Sequence, residues 1–263
     1  MNSKEIIARY YISFQTLVIR EIKRFMLIGV QTLVAPFISN ILFLGIFAGF
    51  FAGHGDKTVK GFDYISFITP GLIFSAVVSS AYQNPVFSII MMKYQDTIKE
   101  FNYFPMKPLG RLGGFVIAGA LRGFLVGIMT YLAAGLFSGY SIAHPVFFWL
   151  AVAAVSLILS LAGYLTGIYM YSVEKSNFIV ILILSPLVYL GGVFFNIETL
   201  PGIFRQIGFY NPFAVMISYT RYVYIGSGSL PGLFPSMMTL LLILILFAVS
   251  YRATVKGVGI KIK

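Results

Sequence analysis

The chain has 263 residues, of which 59% are hydrophobic and 10% charged, and its mean hydropathy is +0.90. A water-soluble domain of this size needs a charged shell that this composition does not supply, so lipid is the solvent. The net charge of +11 sits in short segments between apolar runs, and no basic groove with interleaved aromatics points to nucleic acid. Cysteine is absent, and His54 and His144 are too few for a metal cluster, so neither a disulfide framework nor a metal site is expected.

Residues 4 to 24 combine Ile6, Ile7, Tyr10, Tyr11, Phe14, Leu17 and Val18 with cations. The apolar residues recur at spacings of three and four, which predicts a helix with one greasy and one charged face, lying in the membrane interface. The apolar run that follows is too long for the h-region of a signal peptide, so no cleavage is expected. This divides the chain into an interfacial segment, 1–26, and a single transmembrane domain, 27–263.

Six runs reach the roughly 20 residues that cross ~30 Å of hydrocarbon: Leu27–Phe51, Tyr64–Ile90, Phe115–Phe137, Val146–Tyr169, Phe178–Phe195 and Leu233–Tyr251. Pro36, Pro70, Pro85 and Pro186 lie inside them, which a membrane helix tolerates when neighbours satisfy the freed backbone groups. With the N-terminus inside, fourteen of the nineteen cations fall on inside segments and four outside (Lys57, Lys60, Arg205, Arg221), leaving Arg122 within a span. Cation bias orients membrane proteins, so both termini are expected in the cytoplasm. Residues 196 to 232 are apolar enough to suggest a seventh span. That crossing would move the four C-terminal cations outside and pull Arg205 or Arg221 toward mid-bilayer, at about 2.5–3.5 kcal/mol each. Pro201 and Asn211-Pro212 break the segment into two short helices, read as a re-entrant hairpin dipping into the outer leaflet under shelter of protein.

The missing chemistry narrows the function. All eight acids (Glu5, Glu21, Asp56, Asp63, Asp96, Glu100, Glu174, Glu198) read as tail, loop or span-edge residues, whereas ion-coupled transporters carry carboxylates at mid-membrane. No Gly-Lys dipeptide occurs, so the chain has no phosphate loop. No protease constellation is visible.

Several motifs then resemble the type-2 membrane permeases of ATP-binding cassette exporters along nearly the whole chain. Arg20-Glu21-Ile22-Lys23-Arg24-Phe25 followed by Gln31-Thr32-Leu33-Val34-Ala35-Pro36 looks like that family's interfacial helix entering its first span. Thr69-Pro70-Gly71 is similar to its Pro-Gly near the start of the second. The ordered series Gly191-Gly192-Val193-Phe194-Phe195, Leu200-Pro201, Tyr210-Asn211-Pro212 and Arg221 resembles the end of span five and the hairpin, and is the most specific part. The resemblance implies an all-α polytopic fold and a homodimer in the bacterial inner membrane. Two copies of a separate nucleotide-binding subunit would bind ATP and magnesium. The chain itself would be no enzyme, and would hold no cofactor. It also implies a coupling helix between spans two and three, at Asp96, Thr97, Ile98, Lys99, Glu100 and Phe101; Asp96 replaces a glycine common there. An apolar knob flanked by charges would dock in a partner cleft; the plain alternative is a solvated loop.

Ser75, Ser79 and Gln83, with Tyr82 beside them, form a polar stripe on one face of the second span. It either lines a substrate path or supplies interhelical hydrogen bonds. Tyr189, Phe194 and Phe195 are candidates for stacking on a sugar or apolar drug, against a belt role. Arg122 is expected to point inward or snorkel, the alternative being a carbonyl cap. Glu174 and Lys175 read as a capped turn. The reading is an exporter permease for a polysaccharide, lipid or drug; the alternatives are a channel, and a secondary transporter working without nucleotide.

Overall fold

The computed structural model describes residues 3–53, 58–59, 62–98, 106–139, 141–195, 197, 201–226 and 233–259. Apart from a two-residue antiparallel ladder, Thr58–Val59 with Phe62–Asp63, its regular structure is helical. Six helical segments are long and apolar enough to cross a membrane: Val30–Phe50, Tyr64–Tyr94, Pro108–Ser138, Pro145–Tyr169, Val173–Leu190 and Leu233–Val255. These are spans I to VI of an all-α polytopic membrane protein.

The helices are α1 (Ser3–Leu27), α2 (Ala35–Gly53, most of span I), α3 (Tyr64–Tyr94, span II), α4 (Pro108–Ser138, span III) and α5 (Pro145–Tyr169, span IV). Span V contains α6 (Val173–Ile179) and α7 (Ser185–Leu190); then come α8 (Gly202–Tyr210), α9 (Pro212–Ile225) and α10 (Leu233–Val255, span VI). Their starts follow local chemistry. Asp63 caps α3 by accepting from the backbone N–H groups of Ile65 and Ser66, at 3.1 and 3.3 Å. Pro108, Pro145 and Pro212 open α4, α5 and α9, where a missing N–H leaves nothing unpaired. Gly139 and Gly226 close α4 and α9 with φ of +76° and +80°.

Spans I and V each contain one turn of π-helix, Val30–Val34 and Val180–Leu184. Each lies just before a proline, Pro36 or Pro186, whose ring would otherwise strike the carbonyl four residues back. The wider turn lets Ala35 N–H reach Val30 O and Ser185 N–H reach Val180 O.

α3 is the central helix, clasped between α4 and α5, which also pack on each other. Small residues make that close approach. A Cβ on Gly163 would stand 2.2 Å from the Tyr82 carbonyl oxygen, and one on Gly123 2.6 Å from Ala81 Cβ. Lipid gives no hydrophobic drive for helix association, so such tight packing is what holds spans together. Span I packs mainly on α4, α10 on α5, and α9 on α3 and α5. The outer faces are apolar: Val34, Ile38, Leu42, Ile46 and Phe50 form one exposed ridge along span I.

The packing adds detail to these expectations. α1 is seated lengthwise on α4, with Phe14 against Gly110 and Gly113 and Leu17 against Gly114. Its charged side is therefore partly inside: the Glu21 side chain is fully buried. Among the described residues of the 196–232 segment, the two helices differ in burial. α9 buries Phe213, Met216, Ile217, Thr220 and Tyr224, whereas α8 exposes Ile203, Phe204, Ile207 and Tyr210, because only α9 has an apolar face turned to α3 and α5.

Candidate functional site

A cavity of about 270 Å³ lies between spans I, II and V. Pro36, Ser39 and Asn40 line it from span I, Ser75, Ser79 and Ser80 from span II, and Ser185, Val188 and Tyr189 from span V. Both π turns abut it: Val180 and Leu184 are in its wall, and Pro36 follows the other. Seven of these side chains carry a hydroxyl or amide in a region otherwise made of hydrocarbon. Asn40 donates from Nδ2 to Thr130 Oγ1 at 2.9 Å, which fixes span I to α4 beside the cavity.

The structure therefore brings Ser75, Ser79 and Tyr189 together. Gln83 lies one turn below, donating from Nε2 to Ser79 Oγ at 2.9 Å. Tyr82 does not join them. It is buried against α5, and its hydroxyl donates to Thr166 Oγ1 at 3.0 Å, because one residue along a helix turns the side chain by about 100°. Phe194 stacks on Tyr189 at 5.9 Å between ring centroids and meets Phe43 at 5.6 Å; Phe43 continues to Phe47, and Phe47 to Tyr64. Aromatic rings thus bridge spans I, II and V at one end of the cavity. Phe195 is half-buried next to them.

Beyond those rings the resembling motifs converge. A Cβ on Gly71 would be 2.7 Å from Val193 O, so span II and the end of span V touch through backbone. Gly192 takes φ +84°, turning the chain out of the helix. Arg221 of α9 ties this corner. Its Nε donates to Phe67 O at 3.1 Å and its Nη2 to Gly192 O at 2.6 Å and Val193 O at 3.3 Å, with the guanidinium 4.0 Å from the Phe67 ring centroid. Asn211 caps α9 by accepting from Phe213 N–H at 2.9 Å and donates to Leu187 O, joining the hairpin to span V. Pro201 precedes α8, and Pro212 opens α9.

At the other end, which carries Lys93, Lys107 and Arg252, α3 ends in a turn at Gln95 and Asp96. Asp96 is exposed and has φ +56°, the sole non-glycine among described residues with positive φ. That is the left-handed region, so the position suits glycine on steric grounds, and aspartate is one of the few replacements it tolerates. Asp96→Gly should leave the thermal unfolding midpoint unchanged or raise it, while Asp96→Val should lower stability by about 1–2 kcal/mol. Thr97 donates to Met92 O at 3.3 Å. Ile98 is half-buried against the protein's own apolar cluster, beside Met92, Phe115 and Tyr164. Lys99, Glu100 and Phe101 lie outside the described residues.

Sequence reasoning missed three features. Lys93 donates to the carbonyls of Gly167, Ile168 and Met170, at 2.9, 2.7 and 2.8 Å, locking the base of span II to the end of span IV; a lysine in a last helical turn was the available signal. Asn40 was hidden because span I shows no polar stripe. Glu21 shares the Phe14–Leu17–Phe25 face of α1, a spacing that placed a carboxylate on the packed side. Arg122 lies on α4, and its Nε has no hydrogen-bond partner, so no carbonyl caps that atom. Ser172 caps α6, accepting from Lys175 N–H at 3.4 Å.

A polytopic helical bundle with a polar cavity among three spans defines a membrane permease, and the chain belongs to the ABC-2 type transporter family, whose model matches residues 12–225. It is thus a membrane permease of an ABC transporter. It is similar to the inner membrane transport permease YadH of Escherichia coli strain K12, at 33% identity over 242 residues, covering 92% of each chain. YadH of Escherichia coli O157:H7 and of Shigella flexneri match at the same identity and coverage.

Proposed function

We propose that the chain is the permease of an exporter in the bacterial inner membrane, working as a homodimer with two copies of a separate ATPase subunit. The polar cavity between spans I, II and V is the observation that carries this reading. Among the described residues, hydroxyls and one amide supply its polar lining and no carboxylate does, which suits a weakly charged or amphiphilic cargo better than proton or sodium coupling. The end bearing Lys93 and Arg252 faces the cytoplasm by the cation rule, which puts the Asp96–Phe101 segment where an ATPase subunit would meet it. The exposed ridge of span I, with the exposed Ile181 and Leu182 of span V, offers the apolar surface on which a second copy would close the cavity.

Closure of the nucleotide sites would push on the segment after Asp96. Lys93 would carry that push from span II to span IV, while the π turns of spans I and V are the points at which the cavity walls bend most easily. The aromatic bridge from Tyr189 through Phe194 and Phe43, with Phe195 alongside, would then part at the outer end, beneath a hairpin held by Asn211 and Arg221.

Tagged permease is expected to co-purify with an ATPase in roughly equimolar amount and to hydrolyse no ATP alone; uphill transport by the isolated chain in vesicles would overturn the scheme. Ser79→Trp tests the route. The bulky ring should leave folding and the ATPase association intact while export in inverted vesicles falls to background. Unchanged export would remove the cavity from the path.

A further inference from the structure

We infer that Asn40, oriented by Thr130, is the specificity-determining residue of the cavity, and that it selects an uncharged headgroup rich in hydroxyl donors, the polyol end of an amphiphile. The inference rests on the reading of the cavity as the route and names the chemistry that the route accepts. Asn40 lies near the middle of span I (Val30–Phe50) and in the cavity wall. Thr130 is fully buried on α4, outside that wall. Its hydroxyl donates its single hydrogen to Val126 O at 2.9 Å, so towards Asn40 it can act only as acceptor. The 2.9 Å contact between Asn40 and Thr130 Oγ1 must then use the Nδ2 arm of the amide. The other arm, Oδ1, has no partner among the described residues and is left to the cavity. α4 thereby fixes an acceptor, and not a donor, at mid-membrane.

The rest of the polar lining is short of partners too. Thr69, Thr166, Thr239 and Thr254 each donate to the carbonyl four residues back, a common way for a hydroxyl on a membrane helix to be satisfied. Ser75, Ser80 and Ser185 line the cavity, and their hydroxyls make no hydrogen bond with any described residue. Ser79 Oγ accepts from Gln83 Nε2, so its own hydrogen remains to be given. Hydroxyls donate or accept, but Asn40 Oδ1 only accepts, so the cargo group beside it must donate. No charged side chain is among the described residues of the lining, so an ionic headgroup would enter uncompensated, at a high cost away from water. An uncharged group with several hydroxyls meets each demand: it offers a donor to Asn40 and serves the serines as donor or acceptor. The exposed Tyr189 ring in the wall, stacked on Phe194, adds a flat apolar surface for the less polar face of such a group.

The test needs neither ATPase nor transport, so its failure leaves the exporter reading standing, and failure of that reading leaves the binding result intact. Permease in phosphatidylcholine nanodiscs is titrated with octyl glucoside, an octyl oligoethylene glycol ether and octyl sulfate, each below its micellar concentration. Binding is read by calorimetry and by thermal shift. The probes share a tail and differ in the head, which carries hydroxyl donors, ether acceptors or a charge. Octyl glucoside should bind roughly tenfold or more tightly than either of the others. Asn40→Leu should remove that preference. Thr130→Val keeps the buried volume but frees the amide to rotate, so the preference for glucoside over ether should shrink; Thr130→Ser, which retains the hydroxyl, should restore it. A purely structural Thr130 would lower the unfolding temperature and leave the ratio of the two affinities unchanged. The proposal falls if the wild type does not discriminate between the heads, a comparison that needs no variant. It falls equally if Asn40→Leu or Thr130→Val discriminates as the wild type does, or if both fail to fold, since the pair would then be structural.

Discussion

Gly163→Ala is expected to abolish or severely reduce recovery of folded protein, while Gly49→Ala leaves it unchanged or improves it. Both glycines sit inside spanning helices, and in both places alanine has a helix propensity about 1 kcal/mol better. They differ in what the new methyl meets. At Gly49 nothing lies within 4 Å. At Gly163 the Cβ would be 2.2 Å from the Tyr82 carbonyl oxygen and 3.0 Å from Pro85 Cγ, and backbone cannot rotate aside as a side chain can. α3 and α5 must separate, which loosens the Tyr82–Thr166 hydrogen bond and the neighbouring contact at Gly167. Overpacking of this kind typically costs 1–3 kcal/mol and occasionally more, and here the obstacle is main chain on the central helix of the bundle. Size-exclusion profiles and thermal unfolding of the two variants in the same detergent decide it; equal midpoints would show that α3 and α5 are not packed this closely.

Glu21→Ala is expected to lower stability by about 3–5 kcal/mol, as for removal of one partner of a buried ion pair. Its side chain has no exposure, and it pairs with both Arg20 and Arg24. Arg20 is 47% exposed and can turn to water, so Arg20→Ala should change stability by no more than about 1 kcal/mol. Arg24 is only 26% exposed, remains held by Asn84, and would be left without its carboxylate partner. The double variant Glu21→Leu, Arg24→Met should regain most of the loss, because apolar side chains of similar size replace buried ion pairs well. Thermal unfolding of the four proteins separates these cases. A harmless Glu21→Ala would mean that the carboxylate is not buried.

What could be read from the chain alone was whatever depends on short stretches of sequence. The six spans follow from apolar length, and the breaks at Pro201 and Asn211-Pro212 from the missing proline N–H. The lack of a phosphate loop is equally a local fact. The Gly191–Phe195, Asn211-Pro212 and Arg221 series carried the family resemblance, since it is spaced along the chain. Which face of each span meets protein was not legible. Lipid tails are as apolar as a packed core, so a span lacks the polar-to-apolar contrast that orients a helix in water. Ser75, Ser79 and Tyr82 looked equivalent until α5 was seen to cover Tyr82. That α1 runs along α4 and buries Glu21, and that three carbonyls of span II and the end of span V surround Arg221, follows from no residue near either in sequence. Only the tertiary structure could decide these, because each depends on a helix distant in sequence that supplies the partner a polar group needs once water is gone.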